Sequence, residues 1–372
     1  MLFLDTKGET SSLLEEEVSE LIDLSASLHS MSRIQTSLCW QQARLKWLKE
    51  GDTNTIFFNR VMSSRRRHNV IQLLQVNGVQ VKGVQNVREA VLHHFSSHYK
   101  ATDVVRPCVE GLRFRRLSVA ESGTLIHPFS LEEVKQAIWD CDSFKSPEPD
   151  GINFGFIKQF WPELKDDFMR FVVEFHRNGK LTKGVNATFI TLIPKIDSPQ
   201  WLNDFRPISL VGCMCKVLAK LLENRLSAVI GSVVSDSQSA FVRGKQILDG
   251  ILVANEAVDE AHCLNKEMLL FKVDFEKAYD SVDLSYLDTL MHKMNFPTLW
   301  RKWMLECTSM ATTSVLVNGC PTDEFLIERG LRQGDPLYPF LFLLAAEGFN
   351  VLMLSTIKDG LFRGYHVGHK NA

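Results

Sequence analysis

The run Phe271–Asp280, with the sequence FKVDFEKAYD, constrains the fold more than any other stretch of the chain. The apolar residues Met268–Val273 predict a strand that ends at the carboxylate of Asp274, and the ring of Tyr279 follows five residues later. A strand end fixes the position of a carboxylate, and the adjacent backbone carbonyl of Phe275 can add an oxygen ligand. The spacing is therefore compatible with a sheet edge that holds a divalent metal ion for nucleotidyl transfer.

Three carboxylates of this region have alternative interpretations. Asp274 could instead cap the helix that follows it. Asp280 and Asp283 are weaker candidates for a metal ligand, and Asp283 fits better as the N-cap of a helix that begins at Leu284.

Hydrophobic periodicity predicts a mixture of helices and short strands. Helical spacing is found over 11–49, 53–63, 161–178, 210–229 and 284–295, from Ser130 onward, and from Pro336 to about 356. A strand is predicted over 188–193, and hairpins are predicted to turn at Asn77-Gly78 and Asn318-Gly319. The stretch 104–130 is irregular and is predicted to be a connector. Because the pattern lacks a β-α-β rhythm, the fold class predicted is α+β.

Composition excludes some classes of protein and leaves others open. A hydrophobic content of 45% and a charged content of 23% argue against wholesale disorder. The net charge of −2 does not favour phosphate binding by the chain as a whole. Local basic clusters at Arg65-Arg66-Arg67 and over 113–116 could still bind nucleic acid, or could form solvated surfaces only.

Cysteine spacing and hydropathy bear on cofactors and location. The eight cysteines include no C-x-x-C pair, so we expect reduced thiols, an intracellular protein and no zinc site. The N-terminus has no apolar core typical of a signal peptide, and no run is expected to approach transmembrane length. We therefore expect no membrane partner.

Two other segments carry candidate binding groups. The segment Gly330–Leu337 has two glycines and a proline at a predicted helix start, which allow the backbone to approach a ligand closely, although a tight turn alone would suffice. It is not a P-loop, because no G-K-[ST] follows. Lys195 and Arg206 could together bind a triphosphate, or be ordinary surface charges.

These segments occur in an order that resembles the reverse transcriptase of plant LINE-type (non-LTR) retrotransposons. The matching stretches are Trp47–Phe58, Lys145–Gly151, Thr191–Lys195, Phe205–Leu210, Gln238–Gly244, Phe271–Asp280 and Gly330–Leu337. The resemblance implies a right-hand polymerase fold, with fingers over about 130–265 and a partial palm over about 266–372. A helical N-terminal extension and connector would occupy 1–129, and a thumb would be absent.

The resemblance also implies roles for single residues. Asp274, with the carbonyl of Phe275, matches the first ligand of catalytic Mg²⁺, with Mn²⁺ as the alternative ion. Tyr279 stands where an aromatic residue, usually Phe, excludes the 2′-hydroxyl of a ribonucleotide. The other matched residues contact the incoming dNTP or the template: Lys195 and Arg206 for the triphosphate, Gln333 and Gly334 for the nascent base pair, and Arg65, Arg66 and Arg67 for template RNA. The implied partners are an RNA template, a DNA primer and dNTP, and the implied workplace is the nucleus.

Three departures from the family pattern bear on activity. Glu148 stands where Gly is usual, and Tyr338 replaces the usual Ser. The aromatic-Ala-Asp-Asp box of the family does not follow Gly330 within this sequence, and the single pair Asp166-Asp167 lies in a helical pattern that indicates a solvated helix face. We therefore expect a truncated domain that is inactive by itself, without the other half of the polymerase or an endonuclease. The alternatives are a non-catalytic nucleic-acid-binding remnant and a decayed reading frame.

Overall fold

A computed structural model describes residues 4, 6–7, 13–43, 55–101, 109–145, 150–182, 184–275, 277–309, 312–361 and 363–366. The chain divides into two compact units by its contacts. The first comprises Met1–Val70 with Phe144–Ser146, and the second comprises Ile71–Ser143 with Pro147–Ala372. The functional boundary predicted between residues 129 and 130 stays a prediction, because compactness alone does not report function.

Two long helices lie among the described residues of the first unit, as the periodicity predicts. Helix α1 spans Glu15–Ala43 and begins with three glutamates, which suit the positive end of the helix dipole. Glu17 accepts hydrogen bonds from Lys7 and from the backbone N–H of Leu14, and these bonds lower the pKa of its carboxyl. Helix α2 spans Thr55–Asn69. The motif residues 47–54 lie outside the described residues.

The second unit mixes helices with short strands. Its elements, in chain order, are β1 Leu73–Val76, β2 Val79–Lys82, α3 Val84–His98, α4 Val119–Ile126, α5 Leu131–Trp139, α6 Phe154–Gln159, α7 Trp161–Asn178, β3 Thr188–Pro194, β4 Phe205–Val211, α8 Cys213–Val233, α9 Ile247–Cys263, α10 Leu284–Lys293, α11 Thr298–Ser309, β5 Thr312–Val317, β6 Cys320–Pro321, β7 Phe325–Leu326 and α12 Tyr338–Lys358. The mixed helix and sheet architecture agrees with the predicted α+β class.

The larger sheet has the strand order β4-β3-β5-β6, and β7 also pairs with β5. Strands β3 and β4 are antiparallel, whereas β3 and β5 are parallel. Both predicted hairpins form. Asn77 and Gly78 turn between β1 and β2, and Asn318 and Gly319 turn between β5 and β6, all four with positive φ as a tight hairpin turn requires.

Two hydrophobic clusters form the core of this unit. The larger one joins helices α4 to α8 and α10 to α12, with Trp300, Trp303 and Leu344 fully buried. The smaller one joins α3 to one face of the sheet through residues such as Phe95, Tyr99 and Val315. The sheet edge at residues 195–206 and helix α3 therefore share one core.

Several predicted helix starts are confirmed by their caps. The Ser130 side chain accepts from the N–H of Glu133, and the Glu133 carboxylate accepts from the N–H of Ser130, which completes a capping box. The Asp283 carboxylate accepts from the N–H of Tyr286 at 2.8 Å and caps α10.

The pair Asp166-Asp167 lies exposed on α7, as expected of a solvated helix face.

Other predictions of secondary structure are wrong. The predicted connector contains α4, which begins with its own capping box between Ser118 and Glu121. The helix predicted from Leu210 begins only at Cys213, because the preceding residues pair with β3 as strand β4. The long apolar helix begins at Tyr338 rather than at Pro336, with a proline in its first turn.

Helix α12 also corrects the expectation about membrane length. Of the helices in the described ranges, Tyr338–Lys358 alone is long and apolar enough to cross a membrane by length and composition. Its first half is packed into the larger core, where Leu341 and Leu344 are fully buried. A helix in the core of a protein passes the same test of length and composition, and partial burial of this kind is typical of such a helix.

Candidate nucleotide-binding site

One pocket of the larger unit gathers residues from four separate sequence segments. Its volume is about 400 Å³, and Lys195, Arg206, Phe275, Tyr279 and Gln333 all line it. These five residues are among those that the sequence singles out. The structure brings them together, and their individual roles stay predictions.

The antiparallel pairing of β3 and β4 holds two cations at one rim of the pocket. Ile193 lies opposite Arg206 in the register, and the N–H of Lys195 donates to the carbonyl of Asp204 at 2.8 Å. The Lys195 Nζ donates to the Asn203 carbonyl at 2.9 Å. Arg206 is exposed, and no hydrogen bond or ion pair joins its guanidinium to another described residue. The rim can therefore attract an anion.

Tyr279 contributes an aromatic ring to the wall of the same pocket. The ring is partly buried and lies 5.3 Å from the ring of Phe342, measured between centroids. Burial raises the pKa of the Tyr279 hydroxyl, so this side chain is a neutral surface at physiological pH.

The segment Gly330–Gly334 joins both walls through backbone hydrogen bonds. The N–H of Leu331 donates to the Tyr279 carbonyl at 2.8 Å. The carbonyl of Gln333 accepts from the N–H of Ser209 in β4, also at 2.8 Å. One turn therefore sets the separation between the cationic rim and the aromatic wall.

Glycine is required at two positions of this turn. Gly330 has φ +88°, and a Cβ there would lie 2.7 Å from the carbonyl oxygen of Asp280. Gly334 has φ +109°, and a Cβ there would lie 3.2 Å from the carbonyl oxygen of Ser209. Both glycines permit close backbone packing that other residues would prevent.

A buried arginine anchors the same turn to α11. Arg332 donates from Nε to the Tyr338 hydroxyl at 2.8 Å and from Nη2 to Asn186 Oδ1 at 2.8 Å, and it also reaches the Cys307 carbonyl. The Tyr338 hydroxyl donates to that same carbonyl at 3.1 Å. The bulk that Tyr338 adds is therefore accommodated within a hydrogen-bonded cluster. Glu148 lies outside the described residues.

Asp274 does not occupy the predicted strand end. Residues 266–275 have no regular secondary structure, and Asp274 is exposed and absent from the pocket lining. Leu269 and Phe271 are 77% and 67% exposed. The predicted strand fails because no strand among the described residues pairs with it, and an isolated strand is unstable in water.

The carboxylate that lines the pocket is instead that of Asp280. It is 8% exposed, and Tyr99 donates its hydroxyl proton to Asp280 Oδ1 over 3.4 Å. His98 Nε2 lies 3.6 Å from Asp280 Oδ2. The Asp280 carboxylate is therefore contacted by His98, the last residue of α3, and by Tyr99, which follows it.

Comparison with known proteins identifies the segment that supplies every residue of the pocket lining except His94, Phe95 and His98. The family described as "Reverse transcriptase (RNA-dependent DNA polymerase)" matches residues 193–357. Residues 193–357 carry a reverse transcriptase domain.

Relatives of this domain are retrotransposon proteins. The chain is 26% identical over 337 residues to "Transposon TX1 uncharacterized 149 kDa protein" of Xenopus laevis, covering 90% of this chain and 26% of that protein. It is 27% identical over 223 residues to the "Retrovirus-related Pol polyprotein from type-1 retrotransposable element R2" of Popillia japonica, covering 58% and 29%. For the type-2 element R2DM protein of Drosophila melanogaster the identity is 25% over 225 residues, covering 59% and 21%.

The chain spans about a quarter of the length of these relatives, which come from animals. Together the family match and these relatives support a reverse transcriptase domain of the non-LTR retroelement type, whereas the plant origin expected from the sequence stays a prediction.

Reverse transcriptase domains generally use divalent metal ions. Within the part of the chain that is described, no three His, Cys, Asp or Glu side chains come close enough to hold one. Asp274 is exposed, and Asp280 already contacts Tyr99 and His98. The described residues do not assemble the predicted Mg²⁺ or Mn²⁺ site, so the metal roles of Asp274 and Phe275 stay predictions.

Residues of α3 and its end were missed by sequence reasoning. His94 and His98 line the pocket, with their rings stacked 6.2 Å apart between centroids. Burial, followed by the charge of Lys277, lowers the pKa of His94 to about 4. The signal available in the sequence was the placement of two histidines four residues apart, on one face of a helix.

The two predicted basic clusters lie in different units of the chain. Arg65, Arg66 and Arg67 are exposed in the C-terminal part of α2, in the first unit. In the second unit, Arg115 forms a two-bond ion pair with Asp236, at 3.1 and 2.6 Å. Arg115 therefore already has a structural partner, which weakens the cluster over 113–116 as a nucleic-acid site.

Proposed function

We propose that this domain binds an incoming deoxynucleoside triphosphate for RNA-directed DNA synthesis, and that the pocket at Tyr279 is its nucleotide site. The observation that carries the proposal is the convergence of Lys195, Arg206, Tyr279 and Gln333 on one pocket. A bound nucleotide needs cations that neutralise its triphosphate and a ring that packs against its sugar and excludes a 2′-hydroxyl. It also needs a residue that packs against the nascent base pair. The pocket supplies all three kinds of group.

The size and charge of the pocket support this proposal. A volume of about 400 Å³ lies within the range usual for small-molecule sites. Lys195, Arg206 and Lys277 line it together with one carboxylate, Asp280, which is contacted by Tyr99 and His98. The remaining positive charge favours an anionic ligand.

The finer assignments form part of the same proposal. Fingers would occupy about 130–265, a partial palm about 266–372, and a helical extension 1–129. Gln333 and Gly334 would contact the nascent base pair, and Asp274 with the Phe275 carbonyl would help to bind Mg²⁺ or Mn²⁺. The natural partners would be an RNA template and a DNA primer, in the nucleus.

For the polypeptide of 372 residues by itself, we expect nucleotide binding without primer extension. Asp274 is exposed, and the described residues form no group of three His, Cys, Asp or Glu side chains that could hold a metal ion, whereas the reaction needs carboxylates that bind a pair of them. Extension by the purified polypeptide that disappears in Asp274→Asn would contradict this expectation.

Equilibrium binding of dCTP, measured by calorimetry in the presence of Mg²⁺, tests the proposed site. Lys195→Ala and Arg206→Ala should each weaken binding by roughly tenfold, the amount expected for one charge-assisted contact. The matched control is Arg170→Ala, because Arg170 is an exposed cation on α7 that pairs with Asp167. Equal affinity in the wild type and in both pocket variants would refute the site.

A second candidate function is RNA binding by the first unit. Arg65, Arg66 and Arg67 are consecutive, exposed residues near the C-terminal end of α2. Such a cluster can contact phosphates whether or not the domain retains catalysis. Filter binding of single-stranded RNA at several salt concentrations should show a shallower salt dependence when all three are replaced by Gln. A decayed reading frame without function predicts neither nucleotide nor RNA binding.

A further inference from the structure

Asp280 is a buried carboxylate whose side chain is held by α3 and the residue that follows it. The Tyr99 hydroxyl donates to Oδ1 over 3.4 Å, and His98 Nε2 approaches Oδ2 to 3.6 Å. A buried carboxylate is costly unless it has partners, so its presence at a pocket wall needs a reason beyond packing. Its neighbour along the chain is Tyr279, whose ring lines the pocket.

The backbone around Asp280 is fixed by a second, independent set of contacts. Gly330 packs so closely that an added Cβ would lie 2.7 Å from the Asp280 carbonyl oxygen. The N–H of Gly330 donates to the Val282 carbonyl, and that of Leu331 donates to the Tyr279 carbonyl, both at 2.8 Å. The turn that carries Tyr279 is thus held through the Asp280 side chain by Tyr99 and through its backbone by Gly330 and Leu331.

Tyr99 is itself a rigid support. It is 4% exposed, and its ring stacks between Phe95 and Phe325, with centroids 6.3 Å from each. Its backbone carbonyl accepts from the N–H groups of Glu328 at 3.0 Å and Arg329 at 3.2 Å. Burial, followed by the nearby Asp280 carboxylate, raises the pKa of the Tyr99 hydroxyl, so it remains a hydrogen-bond donor.

We propose that Tyr99 and Asp280 are positioning residues that fix the ring of Tyr279 in the pocket and thereby set the discrimination between deoxyribonucleotides and ribonucleotides. The inference rests on the proposed function, because it assumes that the pocket accepts a nucleoside triphosphate. The ring can exclude a 2′-hydroxyl only if its distance from the sugar is fixed. The carboxylate directs the turn toward Tyr99, which an apolar residue of similar size would not do.

Fluorine NMR of the ligand-free chain tests the positioning step without any nucleotide. The chain contains five tyrosines, so fluorotyrosine labelling gives a small set of resonances that single Tyr→Phe variants assign. We expect Tyr99→Phe and Asp280→Asn to shift or split the resonance of Tyr279. Asp288→Asn is the matched control, because Asp288 pairs with Arg301 on α11 and should leave that resonance unchanged.

The two variants separate positioning from folding. Tyr99→Phe keeps the buried ring and removes only the donor, so it should fold even if Asp280→Asn does not. Asp280→Asn keeps an acceptor oxygen for Tyr99 and should therefore have a smaller effect than Asp280→Ala. A Tyr279 resonance identical to wild type in folded Tyr99→Phe and in every folded Asp280 variant would overturn the positioning step.

Binding of dCTP and CTP tests the step of discrimination. In wild type we expect dCTP to bind more tightly, and in Tyr99→Phe we expect the ratio of the two dissociation constants to fall by roughly tenfold. Affinity for dCTP itself should change less than affinity for CTP. An unchanged ratio despite a shifted Tyr279 resonance would overturn the discrimination step, and wild type that binds neither nucleotide would refute the proposed function.

Discussion

Two halves of one sequence motif behave differently in this structure. Residues 277–282, at the end of the run that contains Tyr279, are held by Gly330, by Leu331 and by Tyr99. Residues 268–274, at its beginning, pair with no strand of the described residues and expose their apolar side chains. Hydrophobicity is thus not enough to make a strand; a hydrogen-bonding neighbour is also needed. The difference predicts which substitutions the domain tolerates.

The largest effect is expected at the closest contact of the anchored half. Gly330→Ala combines a strained φ of +88° with a Cβ placed 2.7 Å from the Asp280 carbonyl oxygen. Backbone strain and overpacking together should lower the free energy of unfolding by about 3–5 kcal/mol. Chemical denaturation measures this change.

Gly319→Ala is the matched control for that substitution. Gly319 has φ +86° but no heavy atom within 4 Å of an added Cβ, so it should cost only about 1 kcal/mol. Equal losses for the two variants would mean that strain alone, and not contact with Asp280, explains the requirement for glycine.

The next effect is a dependence of the unfolding free energy on pH, caused by His94, which lines the same pocket as Asp280. His94 has its pKa lowered from 6.5 to about 4 by burial first and by Lys277 second. Between these values the unfolded chain binds more protons than the folded one, so stability is complete above about pH 6.5 and is lost as pH falls toward about 4. Full burial would make this pH-dependent loss of unfolding free energy about 3 kcal/mol, and solvent screening of the partly buried imidazole should reduce it to roughly 1–2 kcal/mol.

Denaturation at pH 7.5 and at pH 5 checks this prediction. His94→Gln should reduce the difference in unfolding free energy between the two conditions. His262→Gln is the control, because His262 is exposed on α9 and should leave the difference unchanged. An acid sensitivity that persists in His94→Gln would assign it to other groups.

Local chemistry explains what the sequence could predict of this fold. Ser130 and Asp283 cap their helices with their own side chains, and the Asn-Gly turns at 77–78 and 318–319 form with nearby residues. These features depend on a few consecutive residues, so the sequence pattern is sufficient.

Distant partners explain what the sequence could not predict. Tyr99 and Asp280 meet across 181 residues of chain, and no local pattern marks that contact. The strand expected before Asp274 depends on a neighbour, and its own apolar residues could not reveal whether one would pair with it. The sequence itself suggested that Lys195 and Arg206 could act together, whereas their gathering with Tyr279 and Gln333 could be expected only because the family order of motifs implied it.

A smaller effect is expected where the Gly330–Gly334 turn is anchored to α11. Tyr338→Phe removes the hydroxyl that accepts from Arg332 Nε at 2.8 Å and leaves this buried donor without that partner. The cost should be about 1–2 kcal/mol in the free energy of unfolding. Tyr286→Phe, which removes a partly buried bond of 3.2 Å to the Ala345 carbonyl, should cost less. Equal costs would mean that the buried Arg332 is satisfied by its other contacts.

The smallest effect is expected in the unpaired half of the motif. Leu270 is 60% exposed, so Leu270→Ala should change the free energy of unfolding by less than about 0.5 kcal/mol. The same substitution at Leu290 of α10, which is fully buried, should cost about 2–5 kcal/mol because it leaves a cavity. Denaturation of both variants at one protein concentration makes the comparison. A loss above 1 kcal/mol at Leu270 would mean that residues 268–274 pack against other residues in solution, and the contrast between the two halves would then disappear.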